Sequence, residues 1–407
     1  MGLAERDPDL ATAALLARRA TFRTDQELVA NLAGRQRAEA VDAVLNAPYN
    51  TDQAPVVEKS DDTVTWWLER IAAPGSGLHE RMAFFWHGLL PTHRYSVGWQ
   101  ELIPTQLNLI RNNALGNFRD LLQGMVIDGA MIRYLDADSS SKRRPNENLA
   151  RELMELFTTG IGHYSEDDVR QAALAMTGWR VDRDTYAVWF DPDRAYDQPV
   201  TFLGETKKWD VASITDRLCD HPATAARIAS LLWYYFIGSE ITGDAKAELG
   251  LWWQGQELEI KPLIQRILNE DAFWADHYTR PRTGFEFFAA AQNLLQFDST
   301  KLWQSRNLGQ GLYEPPNVGG WPVGVRWLNP DSLLRRSEAL FSLDFREIPG
   351  GVTATVDEIL NRCGLYVVSD ETLAALNAAN NPEGIGEEGV VQLQWRIALS
   401  SPEFQLQ

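Results

Sequence analysis

Along most of the chain, apolar residues recur three and four positions apart, the spacing that gathers them on one side of an α-helix. Residues 8–20, 25–33 and 36–46 each carry such a stripe, separated by Thr-Asp and Gly-Arg breaks. A fourth helix is predicted over 61–72, "DDTVTWWLERIA", with Asp61 or Asp62 placed to cap it. In 78–90, "LHERMAFFWHGLL", Met82, Phe85, Trp86 and Leu89 share a stripe, and Pro91 stops the helix. The stretch 115–135 reads as one or two more helices, and further ones are predicted over 147–157, 166–177, 211–219, 222–236, 260–270, 284–296 and 331–342.

The period breaks in two places. After Trp179, β-branched and aromatic runs split by Asp-Pro-Asp predict a small β-hairpin. Pro and Gly density across 303–330, with "EPPNVGGWPVGVRWLNP" at its end, predicts a long ordered loop. Helices with Asn- and Gly-rich loops return over 351–407. Two segments echo one another, "LIQRILNEDAFW" (263–274) and "QLQWRIALSSPEF" (392–404), but one echo is not a repeat architecture. The expected fold is all-α: a single large helical domain over 1–345 with a β insertion at about 179–204, and a C-terminal helical extension, 346–407, packed on the same domain.

Charge narrows the partners. With 38 basic against 56 acidic residues the net charge is −18, and the longest basic run is Lys142-Arg143-Arg144. Such a field repels phosphate backbones, so DNA and RNA are not expected partners. The only cysteines, Cys219 and Cys363, form neither a disulfide framework nor a CxxC metal site. No stretch approaches the ~20 apolar residues of a membrane span, and the first residues lack a secretory h-region. A cytoplasmic location is expected. Fifteen tryptophans suit core packing, and also platforms for sugars or other flat ligands.

Candidate chemistry is densest in 146–179, "NENLARELMELFTTGIGHYSEDDVRQAALAMTGW". On a helix over 147–157, Leu149, Ala150, Leu153, Met154, Leu156 and Phe157 fall on one arc. Glu147, Arg151 and Glu155 form an i, i+4, i+8 ladder on the other side, with Glu152 beside it. A solvated ladder is worth a few tenths of a kcal/mol per pair. The alternative, adopted as the expectation, encloses the ladder in the domain. Arg151 then holds Glu147 or Glu155 ionised, and Glu152 is free for proton transfer or ligation.

Gly160 and Gly162 supply a turn, and Ser165 with Asp168 makes a capping box that accounts for Glu166 and Asp167. His163 sits on that turn as a surface residue or a ligand. His87, at an apolar helix end, is a hydrogen-bonded core residue or the second group of a site with Glu152 and Glu155. The spacing of His79, His87 and His93 does not fit HExxH, although O/N metal ligands can converge from separate helices. "PPNVGGWP" is not a Walker loop; Gly319-Gly320 either let the backbone pack closely around Trp321 or hold that ring as a lip over a pocket. Trp179 and Trp321 are the candidate ligand-binding rings.

Seven segments occur in an order that resembles the DUF1800 family of bacterial proteins: "RRATF" (18–22), "ERMAFFWHG" (80–88), "LGNFRDLL" (115–122), "RYLD" (133–136), the block 145–179, "HPATAARIASLLWYYF" (221–236) and "EPPNVGGWP" (314–322). The resemblance implies a mostly helical fold, export of many members, and a DUF1501-type partner of the sulfatase-like class. This chain departs from the pattern in lacking an export signal and in carrying Tyr196-Asp197 where the family often has His-Asp. Three readings follow, none of which names a cofactor. The first is an enzyme using Glu152, Glu155, His87 and Arg151 for acid–base chemistry on a polar organic or glycan-like substrate, with Glu147, His163, Trp179 and Trp321 at the ligand. The others are a metal-dependent enzyme with O/N ligands and a non-catalytic binding partner or scaffold.

Overall fold

Side chains that accept the free N–H groups of a first turn fix where many of the helices begin. Asp7 accepts from Asp9 and Leu10 ahead of Pro8–Ala20, with Pro8 at the first helical position. Reciprocal capping boxes start Glu166–Ala175 (Ser165, Asp168), Val211–Cys219 (Asp210, Ser213) and Gly284–Leu295 (Thr283, Glu286). In a computed structural model of the chain, describing every residue except 1–2, 57–58, 74, 343–349, 352 and 381–385, the resulting fold is all-α with small β insertions. Gln26–Leu32, Arg37–Leu45, Ser60–Ala72, Leu78–Leu89, Pro222–Ile237 and Ile260–Asn269 lie where the apolar period predicts them. No helix among the described residues is long and apolar enough to cross a membrane.

Among the described residues, three two-stranded antiparallel sheets complete the scaffold. The insertion holds two successive hairpins, not one: Trp179–Val181 pairs with Val188–Phe190, and Val200–Phe202 with Glu205–Lys207. Asp191-Pro192-Asp193 interrupts the ladder between them, because proline has no N–H to donate. The third sheet pairs Leu3–Glu5 with Val367–Ser369, joining the two ends of the chain. The stretch 303–330 is also not all loop, since 3-10 turns cover Ser299–Leu308 and Gly324–Leu328.

The two echoing segments fold alike. Each is a helix followed by a single turn, Asp271–Trp274 and Pro402–Gln405, and each turn buries its phenylalanine completely. A guanidinium covers each ring: Arg19 lies 5.2 Å from the Phe273 centroid and Arg282 lies 4.3 Å from that of Phe404.

Near Arg282 lies a buried carboxylate, Glu286, that two further arginines hold. Glu286 accepts from Arg280 Nη2 at 2.7 Å and pairs with Arg81 Nη2 at 2.9 Å, while its other oxygen accepts the Thr283 N–H at 2.8 Å. Burial alone would raise the Glu286 carboxyl, but Arg280 and Arg81 outweigh it and hold it down at about 2. Arg336 adds a bond to Gln405 Oε1 at 2.7 Å, and Gln407 Nε2 donates to Glu286 at 3.2 Å. Glu286→Gln leaves two buried guanidinium groups without their anion. Chemical denaturation is expected to show a loss of about 3–5 kcal/mol, whereas substituting the exposed Glu338 should cost almost nothing.

Candidate functional site

Helix Leu78–Leu89 presents Phe84, Phe85 and Leu89 to a cavity of about 250 Å³. Pro222–Ile237 supplies Arg227, Leu231, Tyr234 and Tyr235 to the same cavity, and Leu156 reaches it from the helix of the charge ladder. The loop after Glu314 closes the remaining side with Trp321, Pro322 and Val323. Close backbone approach sets that loop's path. Gly320 has φ of +79°, and a Cβ there would stand 2.5 Å from the Gly88 carbonyl oxygen. Only glycine accommodates both the conformation and the contact. The two sequence readings of "GGW" therefore both hold: the glycine packs tightly, and the indole lines a cavity.

The lining is apolar and aromatic except for a few hydrogen-bonding groups, and it contains no Asp or Glu. Arg280 spends Nη2 on Glu286, while its Nη1 is buried without a hydrogen-bond partner. Arg227 has one weak contact, Nη1 to the Thr158 carbonyl at 3.5 Å, and burial lowers its pKa. Trp321 Nε1 is buried and unpartnered. Gln310 Oε1 is occupied by the Phe285 N–H at 3.0 Å, and Thr283 Oγ1 by the Glu286 N–H at 3.2 Å.

His87 lies beside this cavity and does not line it. The imidazole is fully buried, with Trp321 5.2 Å, Tyr313 4.4 Å and Trp67 5.3 Å away by ring centroids. Its Nε2 accepts the Tyr313 N–H at 3.0 Å, which fixes that nitrogen as unprotonated. Tyr313 holds an unusual φ of +56°, and its carbonyl in turn accepts the Arg94 N–H at 3.0 Å. Burial drives the His87 pKa down to about 3, so the ring is neutral at pH 7.

The ladder differs from expectation. Its apolar arc is buried as predicted, but the charged side faces water: Arg151 is 33% exposed, Glu147 40% and Glu166 66%. Arg151 grips both oxygens of Glu166 at 2.8 Å and meets Glu147 at 3.0 Å. It does not pair with Glu155, because α-helical Asn148–Glu152 widens into a π turn over Leu153–Phe157. The wider turn breaks the i, i+4 register. Thr158 and Thr159 hydroxyls then donate to the Leu153 and Met154 carbonyls and end the helix. Glu155 accepts from the Tyr164 hydroxyl at 3.3 Å. Glu152 is half-buried; burial chiefly, and then the Glu155 charge, raises its carboxyl, with Arg151 opposing.

His163 is exposed, with its ring 5.5 Å from that of His221, which caps Pro222–Ile237 through the Ala223 N–H. Trp179 sits on the first hairpin and lines a different cavity, of about 620 Å³, together with Tyr196 and Trp209. Among the described residues no three His, Cys, Asp or Glu side chains are gathered to hold a metal ion, so His87, Glu152 and Glu155 do not form such a set. Burial pushes both thiols up, that of Cys219 to about 12. Sequence reasoning missed Arg227, Arg280 and the Glu166 pairing. One signal was available for Arg227: it is the one charged side chain within "ATAARIASLLWYYF".

The His87 environment has a pH signature. Its folded pKa, about 3, lies below the ordinary 6.5, so the unfolded chain takes up the proton first as pH falls. Its contribution to stability is whole above pH 6.5 and erodes toward pH 3. Unfolding measured at about pH 7 and about pH 5 should show a loss near 2 kcal/mol that is missing from His87→Gln; equal slopes in both proteins would contradict it.

Neither a curated protein nor a solved structure matches the chain. The model of one family, described as "Protein of unknown function (DUF1800)", matches residues 15–406 and so takes in every wall of the Trp321 cavity. The chain belongs to the DUF1800 family.

Proposed function

We propose that the protein binds a small organic ligand in the Trp321 cavity. One observation carries this reading: four separate segments by which the sequence resembles its family converge on that cavity. Residues 80–88 give Phe84, Phe85 and Gly88, and 145–179 gives Leu156. Residues 221–236 give Arg227, Leu231, Tyr234 and Tyr235, and 314–322 gives Trp321. A mainly apolar concavity with a few convergent polar groups is the usual form of a ligand site. His87 serves here as a neutral support behind the indole. A thermal-shift screen of small metabolites should yield ligands whose affinity falls about tenfold or more in Trp321→Ala, the loss expected on removing a stacked ring and its N–H. Ligands that bind Trp321→Ala as well as the parent would sink the assignment.

A second reading, acid–base catalysis on a polar organic or glycan-like substrate, is favoured by Glu152. Its carboxyl is raised by burial and by Glu155, as proton-transferring carboxylates often are. Leu156, one turn on, lines the cavity. Under this reading Glu152→Gln abolishes turnover of a substrate found in the same screen while the fold stays intact. Glu166→Gln, which only frees one arm of Arg151, leaves turnover near the parent level. Turnover unaffected by Glu152→Gln would leave Glu152 as part of a helix surface. A cytoplasmic location accords with two free, buried cysteines, and a DUF1501-type partner remains what the family resemblance implies.

A further inference from the structure

We propose that the occupant of the Trp321 cavity is an amphiphilic organic anion, with its acidic oxygens against Arg227 and Arg280 and its apolar body along Phe84, Phe85 and Leu231. This rests on the reading of that cavity as a ligand site and adds the chemical class of the ligand.

Two polar atoms on residues of the wall lack hydrogen-bond partners. Arg280 Nη1 and Trp321 Nε1 are both buried and unpartnered, and both are donors. Arg227 offers a third donor group, committed only to the Thr158 carbonyl at 3.5 Å. Two side-chain acceptors of the wall are already engaged, Gln310 Oε1 by the Phe285 N–H and Thr283 Oγ1 by the Glu286 N–H. A wall whose spare groups are donors is complementary to an acceptor.

Charge makes the acceptor anionic. Arg280 is already neutralised by Glu286 at 2.7 Å, but no carboxylate among the described residues lies within ion-pair distance of Arg227. One part-buried guanidinium therefore stands without a counter-charge, a costly state unless something pairs with it. The rest of the chain makes this local surplus more specific, since its net charge is −18. Two arginines on the wall of one cavity suit the oxygens of a carboxylate or phosphate.

The remaining wall sets the other half of the molecule. Phe84, Phe85, Leu156 and Leu231 offer no hydrogen bond, so the body facing them is apolar. The mouth continues that character, with Val323 65% and Val325 76% exposed on the Trp321 loop. An alkyl or aryl chain can leave the cavity along this rim.

The test uses the full chain and four probes that share one tail: octanoate, octyl phosphate, octanol and octylamine. Calorimetry should show octanoate or octyl phosphate binding about tenfold or more tightly than octanol or octylamine. Arg227→Met should bring octanoate and octyl phosphate affinity down to the octanol level, and Arg227→Lys should restore part of the preference. The better of the two acids identifies the head group, and either one supports the proposal. If octanol binds as well as octanoate and Arg227→Met changes neither, the anion assignment is wrong while the ligand site stands. If octylamine binds best, the wall has been misread in sign. If no probe binds the parent and the Trp321→Ala comparison is also silent, the site itself falls with it.

Discussion

A single buried carboxylate, Glu286, ties together parts of the chain that are far apart in sequence. It caps its own helix through Thr283 and pairs with Arg81 of helix Leu78–Leu89 and with Arg280 of the segment before it. Gln407 reaches the same carboxylate from the far end of the chain. Charges taken out of water are costly unless they are paired in good geometry, so such a group admits few alternative arrangements of its neighbours. Tyr235 lies between the two guanidinium groups, 5.0 Å from Arg81 and 4.4 Å from Arg280 by ring centroid. It also lines the cavity. The charged hub thus holds one wall of the candidate site, with Arg280 belonging to both.

The opposite wall is held by neutral contacts. Gly320 against the Gly88 carbonyl draws the loop onto the helix, and the indole of Trp321 settles beside His87. His87 is useful here because it is not charged. A neutral ring can both accept from the Tyr313 N–H and sit among Trp67, Tyr313 and Trp321, where an imidazolium would be poorly solvated. The Tyr313 N–H that it accepts belongs to a residue with an unusual backbone conformation.

Much of the helical scaffold was legible in the sequence because its helices bury one face, and burial leaves a period of 3.6 in the residues. Ser165 marked one start just as plainly, whereas Ser60–Ala72 begins ahead of Asp61 and Asp62, the residues expected to cap it, which lie in its first turn. Strands of three residues leave no period to read, and Leu3–Glu5 finds its partner only at Val367–Ser369. The ladder of 147–155 was visible as a set of charges, but its exposure depends on which elements pack over it, and its register depends on the π turn at Leu153. Trp321 was legible as an indole beside tight glycines. Arg227 and Arg280 were not read as partners, because they meet only when separate helices and loops are assembled.

The helix Asn148–Glu152 and the π turn that follows show why the charged patch and the cavity should be kept apart as ideas. Arg151 looks outward to Glu147 and Glu166, where water screens it and little energy is at stake. Leu156 looks inward to the cavity. The Arg151 ion pairs, conspicuous in the sequence, therefore contribute little to stability. The consequential polar groups are those left buried without partners, Arg280 Nη1 and Trp321 Nε1. Each such group costs about 1–3 kcal/mol if nothing accepts from it, and side-chain packing alone gives no return on that cost. Under the proposed reading, that cost is offset by an acceptor that the chain itself does not provide.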